Sequence, residues 1–252
     1  MRAVIYWYFK DRSILELNEF EKLHFKYIKE YDFRSIFHNI DFVVSYDRKS
    51  DDVLGFVHRI IKENIVSNYS ITDIDNVQWQ GEYPAYYGKI FKYIETGFEP
   101  VFYCHFKGVR REDPWFVGSR KKWIDVLYRG CFADETLHAV RTYPMAGAHL
   151  ELKDVEWYRK WLWKGQYARY AMKYPYIARL TGGSYLDGTF QWINPVLVRE
   201  YFKSEGIDIN SIMNIEFDDI RFTHFSEYFL CSIMRDDKIY ANIRDLRYQL
   251  GY

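Results

Sequence analysis

Only six prolines and fourteen glycines interrupt the 252 residues, and nowhere do they gather with serine into a linker. A chain of this length buries one substantial core, so a single domain over residues 1–252 is expected. Cysteine is scarce too. Cys104, Cys131 and Cys231 form no CxxC pair and leave an odd count, which suits unpaired core thiols in a reducing compartment and argues against structural zinc. Charge of one sign is missing, with Lys plus Arg and Asp plus Glu both at 35. No global field draws in a polyanion, so a nucleic-acid partner loses its main electrostatic support. No apolar run approaches transmembrane length, and residues 1–9 enter an apolar run too short for a signal peptide. A cytoplasmic protein is expected, meeting a membrane only peripherally, at its inner face. Internal repeats and low-complexity tracts are absent as well, which sets aside solenoids and disordered tails.

Aromatic side chains are abundant instead: 24 Tyr, 19 Phe and 8 Trp make up 20% of the chain. That exceeds what core filling needs, so some rings should line a groove where sugar faces or nucleobases stack. Strand-like runs at 3–9, 41–46 and 100–105, with another near 66–72, alternate with helix-like stretches at 19–31, 52–64, 84–95 and 119–132. This rhythm predicts an α/β fold with a mostly parallel central sheet flanked by helices. The second half reads differently, as a long aromatic-rich helix over 154–174, a strand at 188–194, a helix over 195–202 entered through Pro195, and a last helix starting near Ser226.

The chemistry concentrates first at residues 99–111. Residues 100–104 are apolar on both faces, as in a central strand, and polarity switches on at its carboxyl end with His105, Lys107, Gly108, Arg110 and Arg111. Open α/β sheets bind ligands just outside such ends, where the strand order reverses. The cations suit a diphosphate and Gly108 admits close backbone approach; a solvated surface turn is the plainer alternative.

Three further clusters carry candidate groups. Asp73 and Asp75, at i and i+2, share one face of an extended segment and could hold a divalent ion such as Mn²⁺ or Mg²⁺, although Asp75 and Asn76 also suit a turn. Glu82 precedes the helix at 85–94, whose amino end offers unpaired N–H groups to a nucleotide. Asp187, beside Gly188 and followed by Gln191 and Trp192, can bond sugar hydroxyls on a groove floor or belong to an ordinary turn. Glu227, after the candidate cap Ser226, is a general base or a dipole complement. On the 154–174 helix, Trp157 and Trp161 share one stripe while Trp163 and Tyr167 share another. One stripe packs on the sheet. The other faces more core, a sugar groove, a second subunit or a membrane surface.

In their order along the chain these segments resemble the GT-A type nucleotide-sugar glycosyltransferases that build bacterial capsule, O-antigen (lipopolysaccharide) and rhamnan chains, together with virus-encoded relatives. Tyr103-Cys104-His105-Phe106-Lys107-Gly108 is similar to their Tyr-Leu-His-Ser/Thr-Lys-Gly segment, with Phe106 in place of the small hydroxyl residue. Asn76, Gly81 and Glu82 before Pro84-Ala85 resemble the family's Asn, Gly and acidic residue before a helix. Trp123 fits their Trp-containing helix, and residues 187–192 resemble their Gly-Asn-Phe-Trp-Trp segment with substitutions. The correspondence spans about residues 66–202, by motif order.

The resemblance implies a Rossmann-like GT-A fold, a nucleotide-diphosphate-sugar donor bound by residues 1–112, and a glycan or lipid-linked acceptor held by residues 113–252. Tyr8 or Phe9 would stack on the base, with Asp47 and Glu82 also at the nucleotide. His105, Lys107, Gly108, Arg110 and Arg111 meet the diphosphate where many relatives use a metal, so no cofactor is required and a metal at Asp73 and Asp75 stays open. Trp192, Gln191, Trp163 and Tyr167 face the acceptor. Glu227, or else Asp187, takes the acceptor proton, and a single displacement inverts the anomeric centre. The alternative is a noncatalytic carbohydrate-binding or scaffold module that uses the same rings without turnover.

Overall fold

The computed structural model describes residues 1–9, 15–46, 52–65, 68–75, 85–106, 114–152, 184–186, 190–213, 230–231 and 233–243. Eight strands among them form the sheet: β1 (Arg2–Tyr8), β2 (Asn39–Tyr46), β3 (Tyr69–Asp75), β4 (Val101–His105), β5 (Met145–Leu152), β6 (Ser184–Leu186), β7 (Gln191–Ile193) and β8 (Ile239–Ile243). The helices are α1 (Glu19–Glu30), α2 (Phe33–Ile36), α3 (Val53–Asn64), α4 (Phe91–Thr96, entered through a π turn over Tyr86–Ile90), α5 (Pro114–Cys131), α6 (Asp134–Ala139), α7 (Pro195–Ser204) and α8 (Ile209–Met213).

The strand order is β3-β2-β1-β4-β7-β5-β6, with β8 also beside β5. β1, β2, β3 and β4 run parallel, and so do β5 and β8. β7 is antiparallel to both β4 and β5, and β6 is antiparallel to β5. The fold is therefore α/β, with a mostly parallel central sheet covered on both faces.

Alternation along the strands sorts the core into two layers. Ala3, Ile5 and Trp7 of β1, Phe42 and Val44 of β2, and Phe102 and Cys104 of β4 face α1, α3 and α5. Val4 and Tyr6, Val43, and Val101 and Tyr103 face the π turn, α4, α7 and Leu230, Cys231, Ile233 and Met234. Both faces of these strands are apolar because both are covered.

Local chemistry fixes the helix ends. Asn18 Oδ1 accepts from the Glu21 N–H at 2.9 Å and Glu21 Oε2 accepts from the Asn18 N–H at 2.8 Å, a reciprocal cap that starts α1. The other oxygen of Glu21 accepts from Trp7 Nε1 at 2.8 Å, which ties α1 to β1. Pro195 opens α7 at its first turn, where Asn194 Oδ1 caps the Leu197 N–H. Arg199 on α7 donates to the carbonyls of Ile94 (2.6 Å) and Gly97 (2.7 Å), which satisfies the open end of α4.

All three cysteines are buried thiols outside any disulfide, as their odd count and spacing suggested. Burial pushes the Cys131 and Cys231 thiols up to about 12. Since the thiolate is the reactive form, a thiol-reactive probe at pH 8 is expected to label none of the three in the native protein and all three in denaturant. Rapid native labelling of any one would contradict the packing described. Among the described residues no helix is long and apolar enough to cross a membrane.

Candidate functional site

After β1 the chain moves outward through β2 to β3, then returns to place β4 on the other side of β1. The direction of winding reverses between β1 and β4, and in open α/β sheets such a reversal is where the connections part and leave a crevice at the carboxyl ends of the strands. Two described polar rings stand at that opening. Tyr8 is the last residue of β1 and is half-buried. His105 is the last residue of β4, lies directly across from Tyr6, and is buried. By alternation Tyr8, Tyr6 and His105 share one face, the face of Tyr103 and the π turn. Strand spacing and rise put the Tyr8 and His105 backbones roughly 8 Å apart.

The chain leaving β4 is firmly held up to the point where the sequence turns basic. The Phe106 N–H donates to the Tyr6 carbonyl at 2.9 Å. Its ring is buried, tilted on Trp7 (5.3 Å), edge-on to Phe25 (5.3 Å) and stacked face to face on His24 (4.5 Å, 5°). Phe106 is thus a core residue, which accounts for a large ring where the resembled family has a small hydroxyl. Below the crevice, Gln191 Nε2 donates to the Tyr86 hydroxyl at 2.7 Å, joining β7 to the π turn that opens α4.

The structure sorts the expected site residues as follows. Tyr8 and His105 come together at the crevice. Phe9 does not join them: it is fully buried against Trp7 (5.9 Å) and Phe56 (5.6 Å), which leaves Tyr8 as the partly exposed ring of the pair. Trp192 and Gln191 are corrected from acceptor groove to core. Both are fully buried; Trp192 Nε1 donates to the Cys131 carbonyl at 2.8 Å, and Gln191 is tied to Tyr86 and lies 3.6 Å from Cys231 Sγ. They are buried because β7 is an interior strand between β4 and β5. Their polar atoms are satisfied inside the protein rather than offered to a sugar.

Asp73 is exposed on β3, on the same side of the sheet as Ile71, Val44 and Trp7. That is the side opposite to Tyr8 and His105, and Asp75, two residues on, follows the same alternation of the backbone. Among the described residues no group of three or more His, Cys, Asp or Glu is arranged to hold a metal ion. Asp47, Glu82, Lys107, Gly108, Arg110, Arg111, Trp163, Tyr167, Asp187 and Glu227 lie outside the described residues, as does the expected helix over 154–174. Their described neighbours do bear on the site: Phe106 is packed immediately before Lys107, while Leu186 and Phe190, on either side of 187–189, are both buried.

One residue at this end of the sheet carried no expectation. His24, fully buried on α1, lies at 6.0 Å from the Phe190 ring as well as against Phe106. The signal for it was the inward stripe Phe20, His24, Tyr27 and Ile28, in which a histidine takes a helical core position.

No family model and no curated protein matches the chain. Among solved structures, a 4-diphosphocytidyl-2C-methyl-D-erythritol synthase from Anaerococcus prevotii is similar over 99% of this chain and 94% of that one, at 10% identity and a TM-score of 0.39.

Proposed function

We propose that the protein is a glycosyltransferase that moves a sugar from a nucleotide-diphosphate donor to a hydroxyl of a glycan or lipid-linked acceptor, in surface polysaccharide synthesis. The observation that carries this reading is the reversal of strand order at β1 and β4, with Tyr8 and His105 on one face of their carboxyl ends and β4 continuing straight into Lys107. A nucleotide lying across that crevice has an aromatic face for its base at Tyr8 and a cationic segment for its diphosphate at residues 105–111.

In the transfer, the acceptor oxygen attacks the anomeric carbon as the bond from that carbon to the diphosphate oxygen breaks. The acceptor proton passes to Glu227, or alternatively Asp187, and the nucleoside diphosphate leaves with the bonding pair. Lys107, with Arg110 or Arg111, stabilises the charge that gathers on the leaving oxygens. One displacement inverts the anomeric centre. Asp47 and Glu82 bond the nucleotide, Gly108 admits the phosphates, and Trp163 and Tyr167 serve the acceptor. The step is written without a divalent ion, since Asp73 lies on the face of β3 opposite to Tyr8 and His105.

A thermal-shift panel of UDP, GDP, CMP and dTDP, with and without Mn²⁺, tests the reading. One nucleotide is expected to raise the melting temperature, since a ligand at about a hundredfold over its Kd adds about 2.7 kcal/mol. Tyr8→Ala should weaken that nucleotide by about 5- to 150-fold, the value of about 1–3 kcal/mol of base stacking. A panel without any shift, alongside measurable glycan affinity, would replace the enzyme with the carbohydrate-binding module. A shift that depends wholly on Mn²⁺ would move the diphosphate contact from Lys107 to a metal.

A further inference from the structure

We propose that His24 is a positioning residue whose single imidazole sets the chain leaving β4 and the chain entering β7 at a fixed spacing. Its functional meaning rests on the glycosyl-transfer reading above; its geometry does not. The imidazole is fully buried on α1 and lies within 5° of parallel to the Phe106 ring, with centroids 4.5 Å apart. It also stacks on Phe190 at 6.0 Å and 25°. Phe106 is the last described residue before Lys107, and Phe190 is the first after 187–189. One ring therefore touches both anchors of the two segments proposed to meet the diphosphate and the acceptor.

The imidazole is itself held. Its Nδ1 lies 3.1 Å from the Tyr128 hydroxyl on α5, and the Tyr128 and Phe190 rings meet edge to face at 5.0 Å. Rotation of a flat ring about its second side-chain torsion is soft. A phenylalanine at position 24 would fill the same slot with its plane set by packing alone. The hydrogen bond to Tyr128 adds a directional restraint, so the orientation of α5 is transmitted through His24 to Phe106. Transfer chemistry is sensitive to this kind of placement, since a displacement of about 1 Å can cost about 100-fold in rate. The Phe106 ring and the imidazole also fit as a pair: the ring that departs from the resembled family's motif is the one the imidazole covers.

Hydrogen exchange on the full chain reads the spacing without relying on activity. His24→Ala is expected to raise exchange in peptides covering 101–106 and 190–193 together, by about tenfold, as local opening at both strand ends becomes easier. Val57→Ala, a core truncation on α3, which connects β2 to β3 at the end of the sheet away from β7, serves as the control at equal loss of melting temperature and should leave both peptides protected. Tyr128→Phe keeps every ring and removes a hydroxyl that meets the Cys104 side chain on β4 as well as His24; it should loosen both peptides to a smaller extent, with 190–193, which lies beyond β4, as the diagnostic one, and it carries the test if His24→Ala does not fold. Loosening of one end alone in His24→Ala, unchanged protection of 190–193 in Tyr128→Phe, or equal loosening in Val57→Ala would overturn the proposal. Joint loosening in a protein that binds no nucleotide would uphold the positioning role and remove the transferase reading. Nucleotide binding with only one end loosened would do the reverse.

Discussion

Trp192→Ala is expected to destabilise the protein by about 3–5 kcal/mol, which lowers the melting temperature of a chain this size by roughly 6–20 °C. The indole is fully buried between rings of Phe37 (5.6 Å), Phe102 (5.1 Å) and Phe132 (5.7 Å). Truncation empties that volume, and neighbours drawn from α2's end, β4 and α5's end cannot all collapse into it. It also leaves the Cys131 carbonyl without the indole N–H, a further cost where no water reaches. Trp192→Phe keeps most of the apolar area and should recover most of the loss. Thermal and denaturant melts followed by circular dichroism distinguish this from a binding role. A tryptophan on a groove floor would instead leave the melt unchanged and raise the acceptor KM.

Lys107→Ala is expected to lower transfer turnover by about 100- to 1,000-fold, the usual consequence of deleting one group that meets charge developing in the transition state. Its neighbour should behave in the opposite way. Phe106 is buried on three rings, so Phe106→Ser should cost stability on the scale of about 3–5 kcal/mol. A lysine that serves the diphosphate rather than the core should, in contrast, alter stability by less than about 0.5 kcal/mol when replaced. Two consecutive residues would thus separate fold from chemistry: one substitution shifts the melt and the other shifts kcat. Wild-type turnover in Lys107→Ala would move diphosphate stabilisation to another group.

The parallel half of the sheet was legible because its physics is repetitive. β1, β2 and β4 are apolar on both faces, so their runs at 3–9, 41–46 and 100–105 stand out and fall within one or two residues of the observed strands. α1 and α3 were legible as helix-like stretches alternating with the strands and α7 from Pro195 at its first turn, and the carboxyl end of β4 from its abrupt change in polarity. β5 was not legible. Its sequence Met-Ala-Gly-Ala-His-Leu-Glu-Leu lacks the β-branched and aromatic residues that mark strands. The reason is a close crossing with α5, where a Cβ on Gly130 would sit 2.5 Å from the Ala148 Cβ. A Cβ on Gly147 would likewise meet Leu186 at 2.9 Å. Small residues there serve the approach of two backbones, which a pattern of hydrophobicity does not record.

The candidate site was legible in part for a related reason. A strand end followed by His, Lys and Gly announces itself locally, and Tyr8 and His105 do share one face at the carboxyl ends of β1 and β4. Trp192 and Gln191 were misassigned because β7 is only three residues long, and its place between β4 and β5 is a tertiary fact. Polar and aromatic residues in so short a strand look the same in sequence whether they floor a groove or join two layers. His24 was hidden by the reverse effect, as a polar ring occupying a core position with its partners distant in the chain.

The insertion of β7 between β4 and β5 also governs how the molecule can be dissected. A fragment stopping at residue 112 would keep β1 to β4 yet strip β4 of its outer neighbour, leaving Phe102 and Tyr103 along a bare, sticky border with unfilled backbone donors and acceptors. Such a piece would recruit copies of itself. Residues 1–112 and 113–252 are therefore interlocked by three residues, and exchanging either half would require carrying β7 along with β4.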